Sequence, residues 1–207
     1  MLTAFSPDGR LIATASKNGQ ARIWDARTGV PAGPPMKQAG ASFSGRGIES
    51  ITFSPDGQTL AVADSDGTAR VWKVDTGAPI TPRLESHSTV LCVAFSRDSS
   101  SILTAGKEGI VRVWDATTGY PITPPQFQMV AVESAWFTPD GRAVRTVGHG
   151  TEHGTVSRWD LTPERRSVNQ LRLLAEVLSA QRMDASGSLV PLGPESIWNS
   201  WCTLRAR

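Results

Sequence analysis

The fold of this chain is decided by residues 90–127, VLCVAFSRDSSSILTAGKEGIVRVWDATTGYPITPPQF. Val90 to Phe95 is almost continuously apolar, as expected for a strand that is covered on both faces. A polar turn at 96–99 leads into a second apolar run at 102–105, and Glu108-Gly109 marks a tight hairpin after it. The stretch therefore predicts short strands that are joined by tight turns and pair antiparallel with their chain neighbours.

A third strand is predicted at 110–115, and a fourth at 121–127 is rich in proline. Proline has no backbone N–H to donate and is excluded from the centre of a sheet, so the fourth strand belongs at an edge. The same segment of earlier copies also carries prolines, which across the three copies are Pro31, Pro34, Pro35, Pro79, Pro82, Pro121, Pro124 and Pro125. Four antiparallel strands with the apolar strand innermost and the proline strand outermost describe a β-propeller blade.

Two unrelated markers show that this unit occurs four times. Phe-Ser-Pro-Asp-Gly or an altered copy begins, at spacings of 48, 42 and 42 residues, at Phe5, Phe53, Phe95 and Phe137. A tryptophan near the end of each third strand falls, at spacings of 48, 42 and 45 residues, at Trp24, Trp72, Trp114 and Trp159. Such a period is typical of a repeat architecture, and the repeats are predicted at 1–36, 37–84, 85–127 and 128–161.

The amino-acid composition indicates the general class of protein. The chain has 207 residues, of which 39% are hydrophobic and 19% charged, with a net charge of +2. These values are typical of a globular protein and give no support for nucleic-acid binding. No apolar run is long enough to span a membrane, and the first residues do not have the pattern of a secretory signal. Cys92 and Cys202 lack metal-type spacing, so we expect a reducing, cytoplasmic setting and no cofactor.

With these markers the sequence resembles the WD-repeat family, over roughly residues 1–161. The closing Trp-Asp is present in three copies, and Trp72-Lys73 departs from it; the matching pairs are Trp24-Asp25, Trp114-Asp115 and Trp159-Asp160. The resemblance implies an all-β fold, here an incomplete β-propeller of about four four-stranded antiparallel blades. It also implies a non-catalytic scaffold for protein partners. The Thr-Gly-x-Pro and Pro-Pro linkers are similar to a bacterial branch in which such repeats often follow a Ser/Thr protein kinase domain.

The family's blades carry a hydrogen-bonded set that ties a loop to the sheet and satisfies buried polar groups. In the third copy the resemblance assigns this structural set to His87, Thr104, Glu108 and Trp114. Glu108 replaces the usual Asp, and His87 lies one residue closer to the strand than in the family. The second copy has Val62 where the family has Ser or Thr.

The ring is not expected to close within these residues. Aligning Phe5 on Phe95 places Met1 inside an innermost strand, and no proline-rich fourth strand follows Asp160. Further blades from a longer parent chain, or self-association, are therefore possible partners. Arg158 stands where other copies have an apolar residue, which indicates a last blade that is partly uncovered or faces the tail.

Residues 162–207 are predicted to form a short helical tail. A capping box at Ser167-Val-Asn-Gln170 and apolar residues at helical spacing indicate a first helix that stops near Gly187. Ile197, Trp201 and Leu204 indicate a second short helix. We expect these helices to pack on the propeller, while a partner-binding helix is the alternative.

One sequence motif would instead indicate a catalytic function. His149-Gly-Thr-Glu152-His153 matches the pattern of inverted zinc peptidases, but that chemistry needs both histidines on one helical face. Glycines interrupt the segment and the repeat places it in a hairpin, so we predict neither a metal nor a catalytic residue. We predict instead that loops bind partners, with candidate contacts at Phe43, Arg46, Glu152 and His153.

Overall fold

The computed structural model describes most of the repeat region and a small part of the tail. The described residues are 1–16, 18–37, 47–149, 154–161, 181–183, 189–191, 193 and 195–196. The chain divides into two compact units, Met1–Thr162 and Pro163–Arg207.

The first unit contains four antiparallel sheets, which we call blades 1 to 4. Blade 1 consists of β1 (Leu2–Phe5), β2 (Leu11–Ala15), β3 (Gln20–Asp25) and β4 (Met36–Lys37). Blade 2 consists of β5 (Ile48–Phe53), β6 (Thr59–Asp64), β7 (Thr68–Lys73) and β8 (Leu84–Glu85). Blade 3 consists of β9 (Val90–Phe95), β10 (Ser101–Gly106), β11 (Ile110–Asp115) and β12 (Gln126–Phe127). Blade 4 has three strands within the described residues: β13 (Ala131–Phe137), β14 (Ala143–His149) and β15 (Gly154–Asp160).

Strand order follows the chain in every blade, and the first strands of neighbouring blades approach one another. This is the propeller arrangement that the sequence predicts. The outermost strands are shorter than predicted. In blade 3 the proline segment pairs only through Gln126 and Phe127 and through one isolated bridge between Trp114 and Pro121. Because proline cannot donate to the ladder, the rest of that segment runs beside β11 without joining the sheet.

Each turn between the first and second strands is fixed by the same hydrogen bond. A Ser or Thr hydroxyl donates to the Asp two residues later at 2.5–2.7 Å, in the pairs Ser6–Asp8, Ser54–Asp56, Ser96–Asp98 and Thr138–Asp140. These hydroxyl donors hold the pKa of each of the four carboxyls below its ordinary value. The Asp residues of the repeated turn therefore have a structural role.

The hairpin glycine is required in blade 3. Gly109 has φ +75°, and a Cβ there would lie 1.9 Å from the carbonyl oxygen of Gln128. Gly109 accepts a hydrogen bond from the Gln128 N–H at 2.9 Å, so the hairpin also holds the segment that leads into blade 4.

Each blade has two unlike faces. On the face toward the preceding blade, which we call the leading face, a Phe, an aliphatic residue and a Trp are cross-strand neighbours. These leading rows are Phe5–Ile12–Trp24, Phe53–Leu60–Trp72, Phe95–Ile102–Trp114 and Phe137–Val144–Trp159. On the opposite, trailing face of blades 1 to 3 the corresponding side chains are mostly small, namely Ala4–Ala13–Ile23, Thr52–Ala61–Val71 and Ala94–Leu103–Val113.

The core lies between blades. Three hydrophobic clusters join the trailing face of one blade to the leading face of the next. At the first interface Ala13, Ala15 and Ile23 pack against Leu60 and Trp72. Small residues on one face and large residues on the other interdigitate, which explains why the strands are apolar on both faces.

The second unit corrects part of the predicted tail. The predicted first helix continues to Gly187, but Gln181–Met183 forms strand β16 and pairs antiparallel with β17, Leu189–Pro191. The helix prediction is therefore wrong at Gln181–Met183, and the apolar residues whose spacing suggested it lie outside the described residues. The capping box and the predicted second helix lie outside the described residues.

Candidate partner-binding faces

The repeated tryptophans carry the polar contacts of the blade interior. The indole Nε1 donates to a threonine Oγ1 in three blades, with distances of 2.8 Å for Trp24–Thr14, 2.9 Å for Trp114–Thr104 and 3.4 Å for Trp159–Thr146. In blade 2 the equivalent residue is Val62, and the buried Nε1 of Trp72 has no hydrogen-bond partner among the described residues.

The structure joins only part of the set predicted in blade 3. Thr104 and Trp114 are hydrogen-bonded to each other. His87 is exposed, has φ +57° and lies outside the set. Glu108 is contacted instead by Ser88, whose hydroxyl donates to the Glu108 carboxylate and whose Oγ accepts from the Glu108 N–H at 3.2 Å. The left-handed backbone at His87 turns its side chain away, so its position in the sequence was misleading.

In blade 4 a glutamine, Gln128, completes a hydrogen-bonded set of this kind, and sequence reasoning missed it. Thr146 Oγ1 donates to Gln128 Oε1 at 2.9 Å, and Gln128 Nε2 donates to Ser157 Oγ at 3.1 Å. Ser86 is the equivalent residue in blade 3, because its N–H also donates to a hairpin glycine, Gly67. Its short side chain leaves the buried Oγ without a partner in the described structure. The available signal was the shared spacing of Ser86 and Gln128 from these hairpins.

In blades 1 and 3 the Asp of the Trp-Asp pair stabilises the turn that follows it. Asp25 accepts from the hydroxyl and the N–H of Thr28, both at 2.7 Å, and these bonds lower the pKa of Asp25 from its ordinary value. Asp115 does the same with Thr118, whose N–H donates at 2.7 Å and whose hydroxyl donates at 2.9 Å. Asp160 instead forms an ion pair with Arg158. Asp25 and Asp115 therefore stabilise the turns that follow their strands.

A repeated arginine stacks on each of the first three tryptophans. The guanidinium lies over the indole ring at 5.5 Å for Arg22–Trp24, 5.3 Å for Arg70–Trp72 and 4.6 Å for Arg112–Trp114. Arg70 Nε also donates to the Thr81 carbonyl at 2.9 Å, which ties the proline segment to the blade. Each arginine therefore makes a cation–π contact inside its own blade.

The leading face of blade 1 is exposed. Phe5 is 65% exposed, whereas the equivalent Phe53 is 7% exposed against blade 1. Ile12 and Trp24 of the same row are half-buried, while their equivalents in blades 2 and 3 are buried. None of the hydrophobic clusters of the described residues joins blade 1 to blade 4. This face therefore has the composition of a blade interface without a blade against it.

The trailing face of blade 4 is also exposed but has a different composition. Its first row is Trp136–Arg145–Arg158 and its second is Ser134–Val147–Val156. Trp136 is 41% exposed and Val156 is 71% exposed, and both arginines are exposed.

The comparison with known families settles what the repeats are. The model described as "WD domain, G-beta repeat" matches residues 2–25, 38–73 and 79–115. Residues 2–115 therefore consist of WD repeats. Among solved structures, the crystal structure of the computationally designed Ika4 protein is similar at a TM-score of 0.64 and 22% identity. That match covers 76% of this chain and 88% of the designed chain, and it supports the fold alone. No curated protein matches the sequence.

The loop residues predicted to contact partners cannot be placed on the WD repeats. Phe43, Arg46, Glu152 and His153 lie outside the described residues. His149 is exposed at the end of β14. Within the described ranges, no three His, Cys, Asp or Glu side chains are grouped so that they could hold a metal ion. No helix in the described part of the chain is long and apolar enough to cross a membrane.

Proposed function

We propose that this WD-repeat protein is a non-catalytic scaffold that binds a protein partner through the leading face of blade 1. The observation that carries the proposal is the exposed row Phe5–Ile12–Trp24. The same row is packed against the preceding blade in blades 2 to 4. Burial of one such side chain stabilises an interface by roughly 1.5–3 kcal/mol, so covering this row would be strongly favourable.

The chemistry of the partner follows from the interfaces inside the protein. Wherever a leading row is covered, the cover is an apolar sheet face in which alanines lie among larger aliphatic side chains. A partner with an apolar sheet face of this composition would fit the leading face of blade 1 in the same way. Contiguous exposed apolar patches normally mark sites of protein interaction.

Capture from a lysate of the parent cell, with matched variants, tests the proposal. Phe5→Ser/Ile12→Ser disrupts the exposed row, and Tyr120→Ser/Phe127→Ser removes two aromatic side chains that are 75% and 68% exposed on blade 3. We expect a saturable protein partner that is lost with the first variant and kept with the second, at unchanged thermal stability of both. Equal capture by all three proteins would contradict a role for this face.

A second candidate is that the chain is the C-terminal regulatory or targeting part of a larger bacterial signalling protein, such as a Ser/Thr kinase. The same exposed row favours it, since a further blade of a parent chain would be a suitable cover. Sequencing the DNA upstream of Met1 tests it: additional blades in frame would support this candidate, and an in-frame terminator would remove it.

A further inference from the structure

The trailing face of blade 4 departs from the pattern of the other three trailing faces. Where blade 3 has Ala94, Leu103 and Val113, blade 4 has bulky or charged side chains at the equivalent positions. These are Trp136, Arg145 and Arg158. An ordinary blade that packed here would bury two arginines against apolar residues, at a high cost in desolvation. This face is therefore unsuited to another blade.

The row brings two like charges together. Arg145 and Arg158 are directly opposite each other on β14 and β15, and Trp136 is directly opposite Arg145 on β13. Arg158 forms an ion pair with Asp160, with its Nη2 at 3.0 Å and its Nε at 3.1 Å from Oδ1. Arg145 has no ion pair within the described residues. Opposed like charges destabilise a sheet, and Asp160 compensates only Arg158, so an added carboxylate beside Arg145 would relieve the remaining repulsion.

We propose that the trailing face of blade 4 binds a protein segment that carries carboxylates beside apolar side chains. Guanidinium groups bind carboxylates in a bidentate manner, and exposed Trp and Arg are the side chains that most often dominate a protein interface. The adjacent row, with Val147 and the exposed Val156, supplies the apolar part of the site.

The row favours a protein segment over nucleic acid. It offers two cations, in a chain whose net charge is +2, and an apolar second row that has no counterpart in a phosphate backbone. Binding of nucleic acid usually depends on several phosphate contacts.

A second copy of this chain does not supply the carboxylates through its leading face. The cross-strand rows on the leading face of blade 1 contain Thr3, Phe5, Ile12, Thr14, Arg22 and Trp24. None of these residues is acidic, and Arg22 would add a third positive charge. The two exposed faces therefore select different partners, and this site is independent of the one proposed on blade 1.

Fluorescence anisotropy of labelled peptides with the full chain tests the proposal. The probe is a short peptide of alternating glutamate and valine, and its matched control replaces glutamate with glutamine. We expect saturable binding of the glutamate peptide, at least about fivefold tighter than that of the glutamine peptide, because two exposed ion pairs are lost. Raising the salt from about 50 to about 500 mM should weaken the binding.

Matched variants assign the binding to this face. Arg145→Gln/Arg158→Gln should weaken binding of the glutamate peptide by about fivefold. Arg10→Gln/Arg27→Gln removes the same charge from exposed positions on blade 1 and should leave binding unchanged. Three results would overturn the proposal: no saturation up to about 1 mM peptide, equal losses in both variants, or tighter binding of a single-stranded oligonucleotide than of the glutamate peptide.

Discussion

Blades 2 and 3 place the same tryptophan in two different polar environments. Trp114 is buried and donates to Thr104, whereas Trp72 is equally buried, packs with Val62, and has no acceptor for its Nε1 among the described residues. Both rings pack into the face of the preceding blade, and both have an arginine stacked on them. The packing between blades is therefore sufficient to place the ring, and the hydrogen bond is an addition to it.

The closing residue differs in the same two blades. Asp115 of blade 3 fastens its turn through Thr118, while Lys73 of blade 2 forms an exposed ion pair with Asp75 at 3.4 Å. The two turns nevertheless have the same backbone bonds, from Gly77 N–H to the Lys73 carbonyl and from Gly119 N–H to the Asp115 carbonyl, both at 2.9 Å. The polar parts of the repeat are thus replaceable where the backbone and the apolar interface are kept.

The largest effect is expected from removing either ring. Trp72→Ala and Trp114→Ala should each lower the free energy of unfolding by about 3–5 kcal/mol, because each leaves a cavity between blades. Urea denaturation of both variants measures the two losses. If Trp72→Ala costs far less than Trp114→Ala, the hydrogen bond rather than the interface determines the role of the ring.

Thr104→Val converts blade 3 into the arrangement of blade 2. It should lower the free energy of unfolding by about 1–3 kcal/mol, because the Trp114 Nε1–H becomes a buried donor without an acceptor. Thr14→Val is the matched control, since Trp24 is half-buried and water can replace the lost acceptor there. Equal losses in the two variants would contradict the importance of burial.

Val62→Thr makes the opposite change and supplies Trp72 with an acceptor. We expect an increase of about 0.5–1 kcal/mol in the free energy of unfolding, which is the net contribution of one hydrogen bond reduced by the burial of a hydroxyl. The same denaturation assay measures it, with Val62→Ala as the control for packing. A loss of stability in Val62→Thr would show that the hydroxyl donor cannot be satisfied at this interface.

The smallest expected effect is on the pH dependence of thermal stability, through the Asp of the Trp-Asp pair. Bonds from the N–H and hydroxyl of Thr118 hold the pKa of Asp115 below its ordinary value of 3.8. The stabilisation is complete above that ordinary value and is lost as the pH falls through the lower folded-state pKa. Asp115→Asn should therefore reduce the drop in the thermal midpoint between pH 4 and more acidic conditions, and Lys73→Asp should increase it. A midpoint profile unchanged in both variants would show that the turn does not respond to protonation.

The apolar pattern that recurs in the strands of each repeat explains how much of the fold the sequence could predict. The predicted strands at Val90 to Phe95 and Ile110 to Asp115 are confirmed at the same residues, because short apolar runs and hairpin glycines are local signals. The outer strand was predicted too long, since pairing there depends on which N–H groups reach β11. The helix predicted up to Gly187 was wrong at Gln181–Met183, because that strand forms by pairing with Leu189–Pro191, a contact that helical spacing earlier in the chain does not report.

The candidate site was less predictable than the fold. Arg158 was recognised as unusual because it interrupts an aligned apolar position, but Arg145 is separated from it by the hairpin and required the cross-strand register. The contribution of Gln128 depends on a side chain that reaches across a loop, and the exclusion of His87 depends on one backbone angle. Residue spacing indicates the position of Gln128 relative to the hairpin, but it does not report either of these side-chain orientations.

The brevity of the outer strands affects how this protein avoids unwanted assembly. In blades 1 to 3 the outermost strand has two paired residues, β4, β8 and β12, beside a segment interrupted by prolines. A long, regular edge would offer a row of free N–H and C=O groups to any passing strand and could seed fibrils. In these three blades the short outer strands and their prolines prevent another strand from pairing along the outer edge. Mutations that replace the prolines of the outer segments should therefore raise the tendency to form amyloid.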